Sequence, residues 1–147
     1  MRSGKSKLVI AVDFDGTVVE HRYPEIGDVI PGAFEVLHEL QEKGHKLILW
    51  TVRDGIDLQA AIDFCLDHGI MFYAANESHP NEEFNKYISR KIDCDIFIDD
   101  RNVGGFLGWE KIREILIPDS PNIKRNQEKK AESKPKKGFF GKLFEKE

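Results

Sequence analysis

The sequence predicts an α/β fold: a three-layer α/β/α sandwich built on a parallel sheet. Three observations predict it. Leu8–Val12 is an unbroken β-prone apolar run, as expected of a strand buried on both faces of a parallel sheet. Further strand-length apolar runs stand at Lys46–Trp50, Met71–Ala75 and Ile96–Ile98, with helical periodicity between the first three. This strand–helix–strand order implies right-handed parallel crossovers. Finally, three of the runs end in polar residues, Asp13 and Asp15, Thr51, and Asp99-Asp100. In an open α/β sheet the chemistry sits just beyond the carboxyl ends of the strands.

Taken in order, Val18–Pro31 is turn-rich, with Pro24, Gly27 and Pro31 as breakers. Gly32–Lys43 reads as an amphipathic helix through Phe34, Leu37 and Leu40, and Gly44 stops it. Asp57–His68 is the next helix, striped by Leu58, Ala61, Ile62, Cys65 and Leu66 and ended by Gly69. After the third strand comes a polar loop over Asn76–Asn81. Phe84, Tyr87 and Ile88 then give Asn81–Arg90 helical character. Beyond the Ile96–Ile98 strand, Val103–Gly108 is a glycine-rich loop. Trp109–Ile117 forms a last helix packed through Trp109, Ile112, Ile115 and Leu116, and Pro118 ends it.

The domain is expected to close there, spanning residues 1–118. Residues 119–137 turn to Lys, Glu, Ser, Pro, Asn and Gln with almost no apolar residue, the mark of a disordered charged linker. Residues 138–147 recover apolar character in Phe139, Phe140, Leu143 and Phe144, whose spacing makes a short amphipathic segment. That segment is either a docking element for a protein partner or a chain end with incidental phenylalanines.

Composition excludes several classes. The 147 residues are enough to bury a real core, and 33% charged against 40% hydrophobic residues describes a globular chain. The net charge of −4 hides an asymmetry: residues 1–118 hold 13 basic against 21 acidic residues, and the remainder 9 against 5. An acidic body argues against nucleic-acid binding. Cys65 and Cys94 form neither a disulfide framework nor a zinc site and read as reduced thiols. The apolar run after Arg2, Lys5 and Lys7 is too short for a signal segment, and no run approaches a membrane span. The expected setting is cytoplasmic, without stable membrane anchoring.

Asp-x-Asp-Gly-Thr directly after a buried strand is more than an Asx turn closing it. Carboxylates there, beside a glycine that admits close backbone approach, suggest a cation and phosphate site. Pairing Asp99 with Asp100 without a cation would be costly, at roughly 4 kcal/mol per like-charged contact near 4 Å.

Val9–Thr17 resembles the first motif of the haloacid dehalogenase superfamily, most of whose members are phosphohydrolases that pass through a phosphoaspartate. Similar signatures stand in order at Thr51, Lys91 and Asp99-Asp100, so the resemblance reaches from about Lys7 to Asn102. It implies a Rossmann-like sheet with the first strand between the threonine strand and the acidic-pair strand. It also implies a Mg²⁺-dependent phosphatase. Asp13 would be the nucleophile and Asp15 the acid and base. Asp13, the Asp15 backbone carbonyl and Asp99 would bind the ion, with Asp100 in support. Thr51, Lys91 and the N–H groups near Gly16 would hold the phosphoryl. Lys86, one turn earlier, is the rival to Lys91. Arg53 is either a solvated charge or a contact to the substrate's phosphate or leaving group.

Specificity in that superfamily often comes from an inserted cap. Here 33 residues separate Thr17 from Thr51 and 39 separate Thr51 from Lys91, so no cap domain fits. An open site suits a bulky or macromolecular phosphorylated substrate, or one whose pocket a second subunit completes as a homo-oligomer. The alternative is a non-catalytic module that keeps the fold to bind a nucleotide or a protein partner. A kinase or polynucleotide-processing domain is disfavoured, since no Gly-x-x-x-x-Gly-Lys loop is present.

Overall fold

The computed structural model describes residues 6–133. Its elements are β1 (Val9–Val12), α1 (Ala33–Glu42), β2 (Lys46–Leu49), α2 (Gly55–Asp67), β3 (Ala74–Ala75), β4 (Ile96–Ile98), α3 (Trp109–Leu116) and α4 (Pro121–Glu132). The strands form one all-parallel sheet in the order β3-β2-β1-β4. β1 is therefore central, flanked by the threonine strand and the acidic-pair strand, as the resemblance implies.

The pleat divides the apolar residues between two faces. Ile10 and Val12 join Leu47, Leu49 and Ile98 on one face. There they meet Leu37 and Leu40 of α1, Ala61 and Cys65 of α2, and Trp109 and Ile112 of α3. Each such aliphatic side chain, wholly buried, contributes about 1.5–3 kcal/mol, so this face holds most of the stability. Ala11, Ile48 and Ala74 point to the other face, where they meet Ile92 and the half-buried Trp50, Tyr73 and Phe97.

The three layers are thus unequal. Helices cover the first face, and the segment 76–95 covers the second. The helix expected over Asn81–Arg90 does not form in it. Phe84 and Tyr87 are 54% and 83% exposed, so the apolar residues that suggested the helix have no core to face. Asn76 and Asn81 sit at positive φ, which turns the chain instead. The third strand is also shorter than its apolar run, because Ile70 is buried in the core but Met71 is exposed.

Between β1 and α1 the chain makes a small flap. Gly16 N–H donates to Val19 O, Glu20 N–H to Asp28 O and Ile30 N–H to Val18 O. Val18 and Val19 are wholly buried and pin it. This flap consumes the connection, and no cap domain is inserted.

The C-terminal linker expected over 119–137 is corrected in its described part. Ser120 caps α4 by accepting from Asn122 N–H, with Pro121 in the first turn. Ser120 Oγ and Asn122 Nδ2 donate to the Glu39 carboxylate, and Asn126 Nδ2 donates to Glu110. α4 is therefore held by side-chain hydrogen bonds, and it buries no residue of its own. The segment expected over 138–147 lies outside the described residues. Among the described residues no helix is long and apolar enough to cross a membrane. Cys65 and Cys94 are both free, and burial pushes the Cys65 thiol up to about 12.

Candidate functional site

Parallel register builds the site. Val12 pairs with Leu49 on one side and Ile98 on the other, so the next residues of the three strands, Asp13, Trp50 and Asp99, emerge together. Asp13, Asp15, Thr51 and Asp99 line one cleft of about 260 Å³ with His21, Trp50, Val52 and Arg101. Carboxylate oxygens of Asp13, Asp99 and Asp100 lie within 4.8 Å of one another.

Three acids so close repel. Burial pushes Asp13 up to about 8, and its hydrogen bond with Asp100 and the charge of Asp99 add to the effect. Hydrogen bonds from the Phe14 backbone and from Thr17 oppose it; Thr17 Oγ1 donates to Asp13 Oδ2 at 3.1 Å. For Asp100, burial is outweighed by hydrogen bonds with Asp13 and His21, so its carboxyl is held below the usual range. A divalent cation would relieve the same repulsion by neutralising it. One oxygen points to such an ion. Asp100 Oδ1 is buried and, among the described residues, has no hydrogen-bond partner. Hard carboxylate oxygens with an orphaned buried acceptor fit a cation of the Mg²⁺ type.

Gly16 makes the cluster geometrically possible. Its φ is +88°, and a Cβ there would fall 2.3 Å from Asp100 Oδ2 and 2.5 Å from His21 Nε2. The glycine thus clears the space in which His21 Nε2 meets Asp100 Oδ2 at 3.1 Å.

Thr51 is braced from β3. Its N–H donates to Asn76 Oδ1 at 2.8 Å, while Asn76 Nδ2 donates to Arg53 O. The hydroxyl of Thr51 accepts from Arg53 N–H at 3.2 Å. Arg53 itself corrects the expectation of a surface charge or a substrate contact. It is 1% exposed, with Nε and Nη2 each donating to one Asp15 oxygen at 2.7 Å. Its remaining donors reach Pro24 O and Glu25 O in the flap. Arg53 therefore ties Asp15, the flap and the loop after β2 into one unit. The Asp15 hydrogen bonds are the main cause of its raised pKa.

Lys91 does not line the cleft. It is exposed, with Nζ lying over the Phe97 ring at 5.7 Å from its centroid. Lys86 lies over Tyr87 and likewise stays outside. The cation that does line the cleft is Arg101. Its own N–H donates to Asp99 Oδ1 at 2.8 Å, fixing the turn after β4. Sequence reasoning missed Arg101, Trp50, His21 and Asn76. The first two are adjacent to the motif residues Asp100 and Thr51, a signal that was available. His21 and Asn76 arrive through loop folding and carry none.

No family model matches the chain, and no curated protein matches it. Among solved structures, it is similar to a conserved protein from Bacteroides thetaiotaomicron. The two are 50% identical over 80% of this chain and 95% of the other, with a TM-score of 0.71.

Proposed function

The chain belongs to one family with that conserved Bacteroides thetaiotaomicron protein, and we propose that it is a Mg²⁺-dependent phosphatase acting through a phosphoaspartate. The observation that carries this reading is the convergence of Asp13, Asp99 and Asp100, with its orphaned oxygen, in a cleft walled by Thr51. Asp13 and Asp99 would hold the ion with the Asp15 backbone carbonyl, and Asp100 would support it. A bound Mg²⁺ supplies charge neutralisation, so that an anionic nucleophile can approach an anionic substrate. Asp13 forms the bond to phosphorus as the bond to the leaving oxygen breaks. Asp15 gives that oxygen its proton, then takes one from the water that releases orthophosphate from Asp13. To do so Asp15 must let go of Arg53, which holds both its oxygens in the resting arrangement. Thr51 and Arg101, both lining the cleft, steady the phosphoryl oxygens, Arg101 taking the role expected of Lys91. Free cysteines fit work in the cytoplasm.

Two features favour the non-catalytic reading: Asp15 is engaged, and no lysine lines the cleft among the described residues. Beryllium fluoride separates the two. As a mimic of the aspartyl phosphate it should be captured with Mg²⁺ present, and phosphomonoesters should turn over. Asp13→Asn should fold yet lose both. Absence of capture and of turnover in the wild type gives the site to the binding module.

A further inference from the structure

Beside the catalytic cleft lies a second, larger hollow that the phosphatase reading leaves unused. It is an open groove of about 470 Å³, and it shares Trp50, Asp99 and Arg101 with the cleft. Its floor is aromatic. Phe97 pairs in register with Ala11, and Ala11 with Ile48, so these residues share the second face of the sheet. Trp50 follows Ile48 by two positions and packs on that same face, one step nearer the catalytic edge. Residues 81–90, which lead into it, form no helix. Arg90, Lys91 and Arg101 rim it, all three exposed. Among the described residues none of the three belongs to an ion pair, although the body of the chain is acidic. Cations that neutralise no carboxylate of their own, gathered on one groove of an acidic molecule, are complementary to an anion.

We infer that this groove receives the leaving group, and that it selects phosphomonoesters carrying a planar ring and a second phosphate. The ring lies against Trp50, where a π-face finds a partner whatever its substituents, beside the Phe97 ring that Lys91 Nζ overlies. The second phosphate meets Arg90 and Lys91, while the reacting phosphate stays with Asp13 and Arg101. A nucleoside bearing two separated phosphates has this chemistry. An uncapped phosphatase thereby gains its selectivity from the thin layer of the sandwich. The inference rests on the proposed phosphatase activity for its turnover readout but not for its binding readout.

The test compares four monoesters in Mg²⁺: glycerol 3-phosphate, fructose 1,6-bisphosphate, adenosine 5′-phosphate and adenosine 3′,5′-bisphosphate. The last should exceed adenosine 5′-phosphate in kcat/KM by about tenfold or more, the return expected from charge-assisted contacts to one phosphate. Arg90→Gln/Lys91→Gln should bring that ratio close to one. Equal rates for the two nucleotides, or a ratio unmoved in the double variant, overturns the inference. If fructose 1,6-bisphosphate matches adenosine 3′,5′-bisphosphate, the ring requirement falls. Binding is read separately by fluorescence. Of the two tryptophans, Trp109 is 2% exposed, so quenching by a dissolved nucleotide reports Trp50. Saturable quenching by adenosine 3′,5′-bisphosphate, weakened in the double variant, sustains the groove even if nothing is hydrolysed and the phosphatase reading fails. Hydrolysis of the small esters without such quenching retains the phosphatase and overturns the groove.

Discussion

Arg53 shows most plainly how a residue's type and its role come apart. Its place two positions after Thr51 suggested a surface charge or a substrate contact, yet its guanidinium is wholly buried against Asp15. A carboxylate and a guanidinium taken out of water together are tolerated because the fork satisfies both oxygens, and because Pro24 O and Glu25 O take the other N–H groups. Removing one partner leaves a buried charge alone. Arg53→Met is therefore expected to destabilise the fold by about 3–5 kcal/mol. Adding Asp15→Leu should recover part of that loss. A denaturant double-mutant cycle measures the coupling, and additive losses would show that the pair is not the structural tie described here. Nothing in the sequence distinguishes Arg53 from Lys91. Both are cations within the stretch that the motifs span, and only the folded flap decides which one is buried.

At the scale of elements, the regular core was legible and the polar packing was not. β1, β2, β4 and the first three helices announce themselves because their apolar residues match one period and meet one core. Asn81–Arg90 matches the helical period too, but nothing waits to bury Phe84 and Tyr87. α4 fails in the opposite sense: its Lys, Glu, Gln and Ala residues read as linker although each is a good helix former. What secures it is Glu39 of α1, which accepts from Arg113 of α3 and from Ser120 and Asn122 at the start of α4. Burial alone would raise the Glu39 pKa, but these hydrogen bonds together hold it below 4.5. A depressed folded-state pKa stabilises the fold above the unfolded value, and the gain is lost as pH falls through the folded one. Thermal melts should therefore lose stability as the pH falls through the ordinary glutamate range, where the unfolded carboxylate binds protons before the folded one does. Glu39→Gln should start less stable at neutral pH and show a flatter acid limb. An acid limb unchanged in that variant would mean that Glu39 does not hold α4.

Across the whole molecule, the sheet concentrates its cost at one edge. Parallel register sends β1, β2 and β4 to the same side, and that placement follows directly from the sequence order. Their ends then bring Asp13, Asp99 and Asp100 together on a body already rich in acid. The buried Asp100 oxygen, which has no partner among the described residues, and the Asp13 carboxyl pushed up to about 8 are both signs of a fold under local repulsion. A cation bound there would relieve that repulsion. Stability and cation binding should consequently be linked across the entire domain. At a hundred times its dissociation constant, a cation that binds only the folded state adds about 2.7 kcal/mol. For a chain of this size that corresponds to a rise of roughly 5–10 °C in Tm. Mg²⁺ should produce that rise in a thermal-shift titration, and a chelator should reverse it. Asp99→Asn should move the titration to higher Mg²⁺. Asp13→Asn should raise the metal-free Tm, because it removes the carboxylate whose charge the fold disfavours, while shrinking the response to the ion. A wild-type Tm indifferent to divalent cations up to about 1,000 times an ordinary dissociation constant would leave the acidic edge without the ion that explains it.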